Sequence, residues 1–113
     1  MTVSPFELRS SRTDDTLVIE VVGEVDMATA PELSTAISSA QEGVRRVIVN
    51  LTEVSFLDSS ALNALVHSQR ELAARAIGLR VVSPTDRLVR RVFEITQLTG
   101  PLRVVDSLDD ALA

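Results

Sequence analysis

Two adjacent serines follow an aspartate near the middle of the chain, at the end of an apolar run. Residues 54–62 read VSFLDSSAL, so Asp58, Ser59 and Ser60 interrupt two hydrophobic segments. A short side chain that carries oxygen can accept a hydrogen bond from a free backbone N–H at the start of a helix. Asp58 or Ser59 is therefore a natural N-cap for a helix that begins near Ser60. A single cap leaves Ser60 itself unexplained.

Helical geometry predicts where the Ser60 side chain lies. It shares a helix face with His67 and Glu71, away from the apolar Leu62 and Leu65. We therefore expect its hydroxyl to be exposed on the first turn, beside free N–H groups and the positive end of the helix dipole. Helix N-termini favour anions. The position is suited to carrying a phosphate group.

Strands and helices alternate along the chain, as judged from runs of β-branched residues and from apolar residues at helical spacing. The predicted strands are residues 3–9, 16–22, 44–51, 79–82 and 102–105. The predicted helices are residues 30–41, 60–76, 84–96 and 107–113. Strands separated by helices imply right-handed crossovers. We predict one α/β domain over residues 1–113, with a mixed central sheet of about five strands, the order β-β-α-β-α-β-α-β-α, and helices packed on the sheet.

Local signals predict where several elements end. Gly23 is expected to break the second strand. Thr29 and Glu32 have the spacing of a capping box at the start of the first helix. Pro31 falls inside the first turn of that helix, where its missing N–H costs nothing. Gly78 is expected to close the second helix in a left-handed conformation.

Composition argues against several classes of function. The 11 basic side chains against 16 acidic ones give a net charge of −5, which argues against nucleic acid as a partner. The absence of cysteine excludes disulfides and thiolate metal sites. The N-terminus has no pattern of a secretory signal, and no apolar run approaches the about 18 residues of a membrane span. We expect a cytoplasmic protein without membrane insertion.

An enzymatic use of the serines is not supported by the sequence. A serine hydrolase needs a base beside its nucleophile, and the only histidine, His67, lies about 10 Å from Ser60 along the same helix. There is no Gly-x-Ser-x-Gly elbow. Asp26 and Asp58 alone are too few ligands for a metal. We expect no enzymatic activity, no metal and no cofactor, with His67 a solvated surface residue.

Three segments resemble the motifs of a known family, the STAS domain, and specifically the small bacterial anti-sigma factor antagonists. The family motif Asp-Ser-Ser-Gly-Leu appears at residues 58–62 as DSSAL. The Gly-Glu-Leu-Asp turn after the second strand appears at residues 23–26 as GEVD, followed by Thr29. The pattern Leu-Phe-x-Ile-Thr-Gly-Leu appears at residues 92–98 as VFEITQL. The three motifs occur in order, and the resemblance covers nearly the full length.

The sequence departs from the family pattern at two glycines. Ala61 replaces the glycine of the serine motif, which requires only that the backbone stay helical there. Gln97 replaces the glycine that follows the third helix in the family, so we expect that this helix could end differently. That difference would concern a partner surface more than the serine.

The resemblance implies a phosphorylation switch. In the family, the second serine of the motif is phosphorylated by an anti-sigma factor that is also a serine kinase using ATP. The unphosphorylated antagonist binds that kinase and frees a sigma factor, and a serine phosphatase restores binding after phosphorylation ends it. Carried over by position, the phosphorylated residue is Ser60.

The same resemblance implies a set of partner-binding residues around Ser60. Asp26 matches a family acidic residue that lies near the phosphorylated serine, and Asp58 and Ser59 are its neighbours in the motif. Glu24 and Thr29 are further candidates, although Thr29 could equally be only an N-cap. We expect the protein to act as a monomer or weak dimer.

The alternative is a STAS module that does not switch. Such modules serve as scaffold subunits or as accessory components of transport systems, and they can lack a working phosphorylation site. The intact Asp58-Ser59-Ser60 sequence favours the switch.

Overall fold

A five-stranded sheet forms the centre of the computed structural model, which describes residues 6–113. Its strands lie side by side in the order β1 (Phe6–Thr13), β2 (Thr16–Val25), β3 (Arg46–Leu57), β4 (Gly78–Val82) and β5 (Val104–Val105). β1 is antiparallel to β2, and every later pair is parallel. The predicted mixed sheet is therefore confirmed. Residues 3–5 of the first predicted strand lie outside the described residues.

Four helices complete the predicted order of elements. They are α1 (Ala30–Ser38), α2 (Ser59–Ala74), α3 (Leu88–Ile95) and α4 (Leu108–Leu112). The first three each connect two parallel strands, as crossover helices do. α3 begins four residues later than predicted, because the N–H of Thr85 donates to the Asp106 carboxylate (2.6 Å) in a turn that precedes the helix.

The sheet is buried on both faces. Successive side chains of a strand point to opposite sides, so Val47 and Val49 join the large cluster formed with α1, α2 and α3, while Ile48 joins a smaller cluster with α4. The three consecutive β-branched residues of β3 predict this arrangement. Phe93 is fully buried in the large cluster.

The prediction that Gly23 breaks the second strand is wrong. Gly23 has a φ of +102°, and the pairing of β2 with β3 changes register between Gly23 and Glu24. Gly23 pairs with Val54 and Glu24 pairs with Phe56, so Ser55 of β3 is the extra residue of a β-bulge opposite Gly23, which bends the ladder without ending either strand. β2 therefore continues to Val25, and Asp26 follows it directly.

β3 ends six residues later than predicted and begins two residues later, so it is four residues longer. Its first part pairs with both β2 and β4, but beyond Asn50 it pairs with β2 alone, up to Leu57. The presence of polar residues between Asn50 and Leu57 is consistent with a strand that pairs on one side only. The extension carries the chain to Asp58 at the level of the end of β2.

Gly78 does not close α2, contrary to prediction. Ala76 takes the left-handed conformation (φ +59°), with its N–H donating to the Ala73 carbonyl (3.0 Å) and the N–H of Ile77 donating to the Leu72 carbonyl (2.8 Å). This pair of bonds is a Schellman motif. Gly78 instead begins β4.

α3 ends in the same motif although glycine is replaced. Gln97 has a φ of +60°, its N–H donates to the Glu94 carbonyl (3.2 Å), and the N–H of Leu98 donates to the Phe93 carbonyl (2.9 Å). Gln97 therefore does not prevent a left-handed helix end. The backbone of Gln97 is thus held in a left-handed conformation that glycine would adopt with less strain.

Replacing either left-handed residue by glycine should stabilise the fold. For Ala76→Gly and Gln97→Gly we expect a gain of about 0.5–1 kcal/mol in the free energy of unfolding, because relief of the left-handed strain exceeds the extra chain entropy of glycine. Urea denaturation measures this change. Ala73→Gly, inside α2, is the control and should lose about 1 kcal/mol. A loss for Ala76→Gly as large as that of the control would contradict the assignment.

Candidate functional site

Two aspartates lie side by side at one end of the sheet, each directly after a strand. Val25 and Leu57 are register partners at the ends of the parallel strands β2 and β3. The N–H of Asp58 donates to the Val25 carbonyl (3.2 Å), which extends the pairing by one residue. The turn after Asp26 and the first turn of α2 therefore begin at the same edge. Ligand and partner sites in α/β folds commonly form at such carboxyl ends of strands.

Asp58, and not Ser59, is the N-cap of α2. Its backbone is extended, and its Oδ1 accepts from the N–H of Ala61 (3.1 Å). Within residues 6–113, the N–H groups of Ser59 and Ser60 have no acceptor. The cap therefore satisfies one donor and leaves two open on the first turn, as expected at a helix start.

Ser60 is less exposed than predicted. Ser59 is exposed, whereas Ser60 is half-buried and lines an open groove of about 410 Å³ between α1 and α2. The reason is tertiary, because α1 packs beside α2 and covers part of the helix face that the apolar stripe leaves free. The other residues that line this groove are Met27, Ala30, Pro31, Ser34, Asn63, Ala64 and His67.

The Asp26 carboxylate holds the turn between β2 and α1. Its Oδ1 accepts from the N–H groups of Ala28 (2.9 Å) and Thr29 (3.1 Å). The N–H of Asp26 donates to Thr29 Oγ1 (2.9 Å), and the Thr29 hydroxyl donates to the Glu24 carbonyl (3.0 Å). Asp26 is thus a turn-forming residue as well as a charge beside the groove.

The predicted capping box of α1 is not formed. Thr29 is the N-cap residue by position, but its side chain makes no cap hydrogen bond. Its φ and ψ of −104° and −20° differ from the extended backbone of a capping residue, and its hydroxyl is turned back into the preceding turn. Pro31 lies in the first turn as predicted.

The six residues predicted from sequence lie at one end of the molecule. Asp26 and Asp58 follow neighbouring strands, and Ser59 and Ser60 start α2. Glu24 lies at the bulge and Thr29 at the start of α1. Sequence reasoning missed Met27, which is 78% exposed in the Asp26 turn and lines the same groove as Ser60. A methionine between two turn-forming residues was the available signal.

His67 lies at the far end of the groove. Its side chain is 77% exposed, which confirms the prediction of a solvated residue, and its Nε2 is 4.0 Å from Glu71 Oε2. Among the described residues, no three His, Asp or Glu side chains are grouped so as to hold a metal ion. No helix within 6–113 is both long and apolar enough to span a bilayer.

Comparison with known proteins gives consistent matches. Residues 7–111 match the family model of the STAS domain. An anti-sigma-B factor antagonist from Staphylococcus aureus is 33% identical over 100 residues, which cover 88% of this chain and 92% of the relative. The crystal structure of an anti-sigma factor antagonist from Mycobacterium paratuberculosis has a TM-score of 0.83 at 30% identity, covering 96% of this chain and 92% of that one. The Bacillus cell fate determinant SpoIIAA, solved in its phosphorylated form, has a TM-score of 0.68 at 31% identity, covering 94% of both chains.

The Asp26 turn should depend on a side-chain acceptor and not on its charge. Asp26→Ala removes the acceptor of two backbone N–H groups and should lower the free energy of unfolding by about 1–2 kcal/mol, whereas Asp26→Asn keeps an oxygen there and should cost less than about 0.5 kcal/mol. Urea denaturation compares the two. Asp86→Ala, at a highly exposed aspartate, is the control. Equal stabilities of Asp26→Ala and the control would show that the turn does not need these bonds.

Proposed function

Because the chain belongs to the STAS domain family, we propose that it is an anti-sigma factor antagonist whose binding is switched by phosphorylation of Ser60. The unphosphorylated protein binds an anti-sigma factor that is also a serine kinase, and a sigma factor is thereby freed. Phosphorylation ends that binding, and a serine phosphatase restores it. The protein acts in the cytoplasm as a monomer or weak dimer, without enzymatic activity of its own.

The observation that carries this proposal is the position of Ser60 in the second place of a helix capped by Asp58. Its hydroxyl lines an open groove, so a kinase that docks on the groove reaches it. A phosphate at this position is stabilised by the helix dipole and open N–H groups, by about 0.3–1 kcal/mol at an exposed site. Ser59 precedes it and does not line the groove.

The charges around Ser60 favour an electrostatic switch. Phosphorylation adds about −1.5 to −2 charges at neutral pH. Of the described residues that line the groove, only His67 can carry a positive charge, and it lies two turns along α2. The carboxylates of Asp26 and Asp58 stand on the adjacent turns. The phosphate therefore gains no cationic partner within the groove, and it turns a neutral docking surface into a negative one.

The same surroundings argue against a switch that works by unfolding. Attraction to the helix start and repulsion by two water-screened carboxylates are of similar size, so they nearly cancel for the free protein. A docked partner responds differently, because a new charge buried opposite an interface that fits a hydroxyl can cost several kcal/mol. The effect is thus concentrated on binding.

The alternative is a STAS module that acts as a scaffold or as an accessory component of a transport system. Such a module would bind its partner whether or not Ser60 is modified. Dependence of binding on the state of Ser60 separates the two functions.

Phosphorylation should occur at a single serine. Incubation with the cognate kinase and ATP, followed by site-resolved fragmentation of the phosphopeptide, should find one phosphate, on Ser60. Ser60→Ala should accept no phosphate and still bind the kinase, because loss of one half-exposed hydroxyl costs little. Ser59→Ala is the control and should be phosphorylated normally. A phosphate on Ser59 with Ser60 unmodified would refute the assignment, as would loss of binding in Ser60→Ala.

Phosphorylation of Ser60 should leave the stability of the protein nearly unchanged and should strongly weaken its binding to the kinase. We expect a melting temperature within a few degrees of the unmodified protein, and an affinity for the kinase that is lower by a hundredfold or more, equivalent to about 2.8 kcal/mol. Ser60→Asp should give a weaker version of this loss, because it adds one charge and fewer oxygens. Ser59→Asp, which adds the same charge outside the groove, should have a smaller effect. Thermal melts and calorimetric titrations measure both quantities, and gross unfolding by phosphate would contradict the electrostatic account.

A further inference from the structure

A second cavity lies at the opposite end of the sheet from Ser60, and its lining is basic. It has a volume of about 330 Å³ and lies where β3 and β4 begin, beside the C-terminal half of α2. Within the part of the chain that the structure describes, no aspartate or glutamate lines it. Its lining residues are Arg45, Arg46, Gln69, Ala73, Ile77, Gly78, Leu79, Arg80, Pro101 and Arg103.

The four arginines of this cavity fall into two pairs. Arg46 and Arg80 are anchored, because the Nη1 of each donates to the Ala111 carbonyl at the end of α4 (3.0 and 2.6 Å). Arg45 and Arg103 are exposed, and within residues 6–113 their side chains have no hydrogen-bond or ion-pair partner. The guanidinium groups of the first pair therefore lie on the α4 face of the sheet, the face opposite α2, whereas those of the second pair are free to bind a ligand.

This concentration of charge is unusual for the chain that carries it. The protein has a net charge of −5, and only 11 of its side chains are basic, all of them arginine. Two of them, Arg45 and Arg103, line one cavity with unpaired side chains, and among residues 6–113 no carboxylate lines that cavity. Like charges gathered in this way repel one another, and an anion would relieve the repulsion. The guanidinium group matches the geometry of phosphate oxygens and binds them in pairs.

Arg103 occupies a backbone position that does not suit it. Its φ is +49°, a left-handed conformation that glycine adopts without strain. Its carbonyl accepts from the N–H of Val81 (3.2 Å), which ties this strained residue to the adjacent strand. The same pair of bonds that ends α2 and α3 holds this conformation, because the N–H of Arg103 donates to the Gly100 carbonyl (3.0 Å) and the N–H of Val104 donates to the Thr99 carbonyl (2.8 Å). The turn thus fixes the backbone of Arg103 while its guanidinium stays unpaired.

The shape of the cavity indicates the size of the ligand. The exposed Pro101 forms an apolar wall next to the arginines, whereas Ile77 and Leu79 are almost fully buried beneath the cavity. A cavity of about 330 Å³ is at the small end of ligand pockets, which suits a small molecule and not an extended polymer.

We propose that this cavity binds a small phosphorylated molecule, with phosphate oxygens on the guanidinium groups of Arg45 and Arg103 and an apolar part against Pro101. The site shares no residue with the Ser60 groove, so it stands independently of the phosphorylation switch.

Titration with inorganic pyrophosphate tests the phosphate part of this proposal. Amide chemical shifts at low ionic strength should change saturably at residues 45–46, 78–80 and 101–103. Arg45→Gln and Arg103→Gln should each weaken binding by at least tenfold, whereas Arg91→Gln, an exposed arginine outside the cavity, should bind as the unaltered protein does. Sodium chloride at equal ionic strength should not reproduce the shifts. Unchanged binding in both cavity variants, or equal shifts with sodium chloride, would overturn the proposal.

Two further comparisons sharpen the test. Phenyl phosphate should bind more tightly than inorganic phosphate if the apolar wall contacts the ligand, and equal affinity would overturn that part of the proposal.

Arg103→Gly should raise the melting temperature by removing the left-handed strain, and it should lower the affinity for pyrophosphate. If Arg103 served only the stability of the fold, Arg103→Gly would lower the melting temperature and leave the affinity for pyrophosphate unchanged. If a short oligonucleotide bound more tightly than pyrophosphate, the ligand would be nucleic acid, and the proposal of a small molecule would be overturned.

Discussion

The parallel pairing of β2 with β3, continued to the last residue of each strand, is the constraint on which the site depends. Val25 lies opposite Leu57, and the N–H of Asp58 extends the ladder to the Val25 carbonyl. Two turns that are more than thirty residues apart in sequence are thereby fixed side by side. β2 continues past Gly23 to that point, opposite a bulge at Ser55 of β3, and the one-sided extension of β3 brings the serine motif there.

The two aspartates at these strand ends each serve in two ways. As acceptors they organise backbone N–H groups, Asp26 in the turn before α1 and Asp58 at the start of α2. In the proposed switch, their charges near Ser60 would oppose the arrival of a phosphate. Stability and the proposed switching would then use the same carboxylates, and substitutions that keep the oxygen but remove the charge can separate the two roles.

Much of this arrangement could be predicted from the sequence. The β-branched run of β3 indicates a strand buried on both faces, and an aspartate before two serines indicates a helix cap, because both signals act over a few residues. The predictions that failed concern residues whose conformation depends on contacts with other elements of the fold. β2 continues past Gly23 because β3 pairs with it there, with a bulge at Ser55 of β3. Thr29 accepts from the N–H of Asp26 instead of capping α1, and Ser60 is half-buried because α1 packs beside it. Ala76 could take the position expected of Gly78 because its left-handed strain is small enough for the rest of the fold to absorb.

The central claim is that a phosphate on Ser60 changes the surface of the groove and leaves the fold of the domain unchanged. Amide chemical shifts of the phosphorylated and unmodified proteins, recorded under identical conditions, test this claim most directly. The account predicts changes confined to residues 24–31 and 58–67, which form the two turns and the walls of the groove. Changes that spread through β1, β4 and α4 would show that the domain itself rearranges, and would contradict it.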